Sequence, residues 1–183
     1  AHASPGPAPF FLFADCFDPH EPWYLPEPYR SLYGPYREDC TCFGPYHWLD
    51  SAAGFFAQDP NPDLEFLRQQ YAGNVTMVDH QLGKVLDRLD GLQLWGNTVV
   101  ILATDHGPEL GERGRFGKSY PHWNSHAHIP LLVWHPDHPG PRRIDGFSTM
   151  ADIHQTVAEL TGAAGNHSPN GHSLQPLLEN SAT

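Results

Sequence analysis

The chain has 183 residues, enough for one domain with a single core, and its 39% hydrophobic content permits a packed interior. Ten Lys and Arg face 21 Asp and Glu, a formal net charge of -11, which argues against nucleic-acid binding through phosphate contacts. A small anionic substrate stays compatible, because a metal ion and one Lys can set the local field.

Nineteen prolines and seventeen glycines predict many turns and irregular connections. The three cysteines, Cys16, Cys40 and Cys42, are an odd count and argue against a disulfide framework. Cys40 and Cys42 have the spacing of half a soft metal site, but no second pair completes a structural zinc cage. The sequence shows no signal-peptide pattern and no apolar run of about 18–20 residues. It therefore reads as soluble, with no cellular location implied.

Residues 1–9 are rich in Ala, Pro and Gly and read as loose. Residues 10–14, Phe-Phe-Leu-Phe-Ala, form a short apolar run that predicts a buried strand. Pro19 and Pro22 stop regular structure just after it. Residues 24–62 are aromatic and rich in Pro and Gly, without a clear period. They predict a long irregular segment of the kind that shapes a substrate cleft. A long helix is predicted from 61–63 onward, on Leu64, Leu67, Tyr71, Val75, Val78, Leu82, Val85, Leu86 and Leu89. Gly73 and Gly83 weaken it, and Gly91 and Gly96 bracket its end.

Residues 98–104 are rich in β-branched side chains and carry no charge before the end of the run. They predict a strand buried on both faces of a parallel sheet. Residues 107–128 then form a loop over its carboxyl end. A second strand is predicted at 129–134, and a helix carries Met150, Asp152, Ile153, Val157 and Leu160 up to Gly162. A turn at 169–174 leads into Leu177 and Leu178. Helices alternating with parallel-type strands place the chain in the α/β class.

Asp105 and His106 sit where the strand 98–104 ends. Open α/β sheets build ligand sites outside the carboxyl ends of strands. A carboxylate and an imidazole there suit a hard-to-borderline metal ion, and Gly107 permits the turn. The plainer alternative is a helix cap beside a satisfied histidine. His20 follows another predicted strand end, where an imidazole can bond an anionic oxygen or give a proton to a leaving group. It reads equally well as a structural turn histidine. Lys118 can neutralise a sulfate or phosphate oxygen, although a lone Lys after Gly is more often surface. The run around it lacks the spacing of a phosphate-binding P-loop. His122, His126 and His128 crowd one loop, and one of them is expected to reach the site. Asp79 on the long helix could bind a ligand, but it is read first as a group that caps or pairs at a helix-to-sheet contact.

Taken together and in order, these segments resemble the sulfatase family of the alkaline-phosphatase-like superfamily. The resemblance rests on Phe17-Asp18-Pro19-His20-Glu21-Pro22-Trp23 and on the helix segment from Tyr71 to Asp79. Downstream it rests on Thr104-Asp105-His106-Gly107, Leu110-Gly111-Glu112, Gly114 and Gly117-Lys118. Ile129-Pro130-Leu131, Asp152-Ile153 with Thr156, Gly171-His172-Ser173-Leu174 and Pro176-Leu177-Leu178 complete it.

By that resemblance Asp105 and His106 bind a catalytic divalent metal, calcium first, with manganese or zinc as alternatives. His20 and Lys118 bind the sulfate or phosphate oxygens as catalytic groups, and His126 contacts substrate. Relatives with His rather than Asn at the position of His106 include phosphonate monoester and phosphodiester hydrolases. The fold implied is alkaline-phosphatase-like, a mostly parallel central sheet flanked by helices. One departure is large. The family's nucleophile, a formylglycine made from the first residue of Cys/Ser-x-Pro-x-Arg, has no counterpart in these residues, and nor do its upstream metal-binding aspartates. Residues 1–183 therefore read as an incomplete domain, the latter part of a sulfatase-type unit. The function expected is metal-dependent hydrolysis of small anionic sulfate esters, with this chain supplying part of the site. The alternatives are phosphonate monoester or phosphodiester hydrolysis, and a non-catalytic metal- or anion-binding domain. Oligomeric state and leaving alcohol are not legible.

Overall fold

A long amphipathic helix organises the first half of the structure. The computed structural model describes residues 9–39, 62–114, 116–118, 122–163 and 170–180. The chain divides into two compact units, residues 1–84 with 110–115, and residues 85–109 with 116–183. None of the helices among the described residues is long and apolar enough to cross a membrane.

Helix α1, Pro62–Gly91, contributes residues 62–84 to the first unit. Asp63 and Glu65 lie in its first turn, where carboxylates complement the helix dipole. Arg37 Nη1 donates to Asp63 Oδ1 at 2.7 Å and holds the preceding irregular segment at that helix end. The buried face of α1 carries Leu64, Phe66, Leu67, Gln70 and Asn74. Against it pack Trp23 and Leu25 from the irregular chain. The Trp23 ring meets Tyr71 edge-on at 5.5 Å, and Tyr36 meets Phe66 at 5.7 Å. Such edge-to-face pairs add about 0.5–1.5 kcal/mol to the area they bury. Two amides of α1 serve the wrapped segment: Gln70 Nε2 donates to Arg30 O at 2.9 Å, and Asn74 Nδ2 to Asp18 Oδ1 at 3.1 Å. Residues 24–39 are irregular apart from a single 3-10 turn at Tyr29–Ser31. The remainder of the 24–62 segment, residues 40–61, lies outside the described residues.

The predicted strand at 10–14 is not formed. Its residues are irregular, and Phe10 and Phe13 are 62% and 77% exposed. Strand preference needs a neighbouring ladder to become a strand, and among the described residues no strand pairs with it. On α1, Val75 and Val85 were expected on the buried face, yet both are exposed.

In the second unit, β1 (Val100–Ala103) pairs with β4 (Leu131–Trp134). The pairing is antiparallel, with Val100 opposite Trp134 and Ala103 opposite Leu131. This corrects the parallel expectation for these two strands. Register partners Leu102 and Leu132 share one face and are 41% and 56% exposed, so β1 is not buried on both faces. An apolar, β-branched run reports strand type, whereas direction and cover are set by the partner. The strand starts after Pro130, which has no N–H for a ladder. Trp134 Nε1 donates to Trp95 O at 3.1 Å, fixing the connection from α1 into β1. Strands β2 (Glu109–Leu110) and β3 (Phe116–Gly117) form a second two-stranded sheet. A four-residue helix, α2 (Asn124–Ala127), lies between β3 and β4.

Helix α3, Met150–Thr161, ends as predicted at Gly162, whose φ of 66° is the left-handed C-cap conformation. Its first turn is closed by Asp152. Thr149 N–H and Oγ1 donate to Asp152 Oδ2 at 2.6 and 3.1 Å, and His172 N–H donates to Oδ1 at 2.7 Å. One turn on, buried Thr156 donates to Asp152 O and accepts Leu174 N–H at 2.8 Å. These bonds dock the 171–174 turn on α3 ahead of α4 (Gln175–Asn180).

Two consequences are measurable. A Cβ at Gly73 would lie 2.5 Å from Tyr29 O and 2.9 Å from Leu25 Cδ1, whereas one at Gly83 meets nothing within 4 Å. Gly73→Ala is expected to destabilise by about 1–3 kcal/mol, by overpacking, and Gly83→Ala to stabilise by up to about 1 kcal/mol through helix propensity. Denaturant midpoints of the two variants should therefore move in opposite directions. Asp152 is held below the usual carboxylate range, mainly by the His172 and Thr149 N–H donors. A depressed native pKa gives stability that is present above the unfolded value and lost as pH falls through the native one. Asp152→Asn should cost about 2–3 kcal/mol at pH 7, and the difference should shrink in melting curves taken below about pH 3.5.

Candidate active site

The turn that follows β1 presents two metal-type donors side by side. Asp105 Oδ1 accepts the His106 N–H at 2.9 Å, which fixes the carboxylate over its own turn. His106 Nδ1 lies 3.3 Å from Gly107 O, an acceptor suited to a protonated ring nitrogen. Nε2 lies 3.5 Å from Asp105 Oδ2. Two donors each about 2.1–2.4 Å from one cation, at right angles, stand about 3.0–3.4 Å apart. The Asp105 carboxylate is 78% exposed and His106 37% exposed, so both are open to a cation. The pair fits a divalent ion as part of a ligand set, with the second imidazole nitrogen held by a carbonyl as metal-binding histidines usually are. Among the described residues no group of three or more His, Cys, Asp or Glu converges on such a point.

Gly107 is required here for closeness. Its φ is not among the positive values, so the freedom expected from sequence is not what it supplies. A Cβ on it would collide with Ser125 O. Its N–H donates to His126 O at 3.0 Å, seating the Asp105–His106 turn on α2.

Lys118 leaves β3 directly after Gly117, whose φ of 79° is left-handed, and its side chain is half-buried. Gly117 O faces His126 Nε2 at 3.1 Å. His126 is 4% exposed, and its Nδ1 accepts the Trp123 N–H at 3.4 Å. Both ring nitrogens thus meet main-chain groups. The His122 ring lies edge-on to it at 5.7 Å, and His122 and His128 are exposed.

His20 lies in the first unit. Its Nδ1 is 2.6 Å from Glu21 O, an acceptor suited to an Nδ1–H donor. Glu21 Oε2 is 3.5 Å from the same nitrogen, and the Phe17 ring is 4.4 Å away. The loop is pinned by Asp18 to Asn74 and by Trp23 Nε1 to Pro19 O at 2.9 Å. Asp79 is exposed on α1, Cys16 is exposed, and Cys40 and Cys42 lie outside the described residues. Sequence reasoning missed Glu109, a fully buried carboxylate on β2 four residues after Asp105. It missed Asn74 too, because one polar residue on an apolar helix face carries no local signal of its partner.

Donors of metal-binding type stand side by side at the end of β1, Lys118 directly follows β3, and His20 lies in a proline turn of the first unit. A solved phosphonate monoester hydrolase of Agrobacterium radiobacter shares the fold, with a TM-score of 0.69 and 25% identity over 91% of this chain and 37% of that one. The Sulfatase family model matches residues 3–163, and the chain belongs to that family. It is similar to a sulfatase of Formosa agariphila, 31% identical over 93% of this chain and 36% of the relative. It is also similar to PehA of Trinickia caryophylli, a multifunctional alkaline phosphatase superfamily protein, 28% identical over 93% and 37%. The chain thus spans little more than a third of the length of these relatives.

Gly107→Ala tests the close approach. The added methyl must push main chain rather than a flexible side chain, so the variant should lose about 1–3 kcal/mol of stability in chemical denaturation.

Proposed function

We propose that the protein carrying this chain hydrolyses sulfate esters with the help of a divalent metal, and that residues 1–183 supply part of the site. The observation that carries this reading is the Asp105–His106 pair, with Nε2 and Oδ2 3.5 Å apart at the end of β1, in a chain of the sulfatase family. Asp105 Oδ2 and His106 Nε2 would hold the ion, calcium by the preference of a carboxylate-containing set, with manganese or zinc as alternatives. Bound there, a divalent cation supplies Lewis-acid polarisation of an ester oxygen.

The chain's own groups do the rest of what this portion can do. The Lys118 ammonium neutralises a non-bridging oxygen of the anionic ester as negative charge redistributes in the transition state. His20 keeps its Nδ1 proton on Glu21 O, so it gives or takes a proton at Nε2, the position suited to a departing alkoxide. No Cys/Ser-x-Pro-x-Arg run occurs in the sequence, so the formylglycine nucleophile expected of the family belongs to residues outside these 183.

A second reading, phosphonate monoester or phosphodiester hydrolysis, is favoured by His106 and by the likeness to the phosphonate monoester hydrolase structure. The test uses the full-length protein with 4-nitrophenyl sulfate and phenyl 4-nitrophenyl phosphonate. Faster sulfate release supports the first reading, and faster phosphonate hydrolysis the second. Chelation should abolish turnover and calcium or manganese restore it. Asp105→Asn should weaken divalent-ion binding in calorimetry by about 10²-fold. Metal binding without hydrolysis of either ester would leave a non-catalytic binding domain.

A further inference from the structure

We propose that His126 is a positioning residue for Lys118, rather than a group that contacts substrate; the inference rests on Lys118 acting on the anionic ester. Three segments of the second unit converge on this one residue. The Nε2–H donates to Gly117 O at 3.1 Å, one residue before Lys118. Nδ1 accepts the Trp123 N–H at 3.4 Å, which closes the first turn of α2. The His126 carbonyl accepts Gly107 N–H at 3.0 Å, next to the metal-side pair.

The two ring nitrogens have opposite roles, so only the neutral Nε2–H tautomer satisfies both partners. Gly117 is the residue whose orientation sets the path of Lys118. With φ at 79° its backbone has fewer steric restraints than any other residue type, and a carbonyl anchored by a buried donor removes that freedom. A long flexible ammonium gains electrostatic effect only if its root is held. His126 therefore registers the lysine against the Asp105–His106 turn, its ring holding Gly117 and its carbonyl holding Gly107.

The test uses full-length protein and variants that divide the two ring bonds. In His126→Asn the amide oxygen takes the place of Nδ1 and keeps the Trp123 bond, while the donor to Gly117 is lost. In His126→Gln the amide nitrogen reaches the Nε2 position and keeps the Gly117 bond. His126→Asn should lower kcat on 4-nitrophenyl sulfate by about 10²-fold, the usual cost of a misplaced catalytic group, with KM changed far less. His126→Gln should recover most of it. In a Lys118→Ala background the further loss from His126→Asn should nearly vanish, because both changes remove one interaction. Pulsed acetylation read by mass spectrometry should show the Lys118 rate, relative to Lys84, altered about twofold or more in His126→Asn, because reactivity follows the surroundings of the ammonium.

Independent, multiplicative losses in the double variant, or a wild-type Lys118 acetylation rate in His126→Asn, would overturn the proposal. If wild-type protein hydrolyses neither ester, the proposed reaction fails, and Lys118 acetylation alone decides the positioning. If Asn at 126 unfolds the protein, the acetylation rate in His126→Gln decides: a wild-type rate supports the proposal and an altered one overturns it.

Discussion

The main-chain bond from Gly107 N–H to His126 O, 3.0 Å long, joins the Asp105–His106 turn to α2 in the second unit. It exists because Gly107 has no side chain, and the Ser125 carbonyl occupies the space a methyl would take. On one side of that bond lie Asp105 and His106, whose own backbone and ring bonds orient a carboxylate oxygen and an imidazole nitrogen toward the same point. On the other side lies the buried His126 ring, which reaches Gly117 and so the base of Lys118. A network of this kind holds rigidly only when every member is satisfied, because an unpaired buried polar group costs about 1–3 kcal/mol.

The first unit solves a different problem. Its irregular segment has few backbone partners of its own, so α1 supplies them through polar side chains on an otherwise apolar face. Gln70 bonds the Arg30 carbonyl, and Asn74 bonds the Asp18 carboxylate beside His20. Trp23 provides the apolar anchor and bonds back to Pro19 through its ring N–H. A proline turn with a buried aromatic at its base lowers the entropy that His20 would otherwise lose on being held in one position.

Polar residues inside the fold mark where its pieces are joined. Asp152 and Thr156, one turn apart on α3, bind the N–H groups of His172 and Leu174 and hold the 171–174 turn against the helix. Glu109 is fully buried on β2, and His126 is buried on α2. Each was visible in the sequence only as a polar residue in a loop or at a helix start, because its burial depends on chain segments distant in sequence.

The sequence by itself determined the elements whose signal is local. The three- and four-residue spacing of Leu64, Leu67 and Tyr71 gave α1, Gly162 ended α3, and Thr104-Asp105-His106-Gly107 marked the strand end that carries the metal-type pair. The ordered set of motifs was also enough to place the chain in the sulfatase family, because several specific segments had to agree at once. Tertiary structure alone decided strand direction, the exposure of residues 10–14, and the burial and hydrogen-bond partners of individual residues. Apolar content at 98–104 and 129–134 is equally compatible with parallel and antiparallel neighbours, and only the register of β1 on β4 distinguishes them. The need for glycine at 107 and the capture of both His126 nitrogens by main chain arise from contacts between segments separated along the chain. No local pattern encodes them, since the partner of a buried polar atom is chosen by packing.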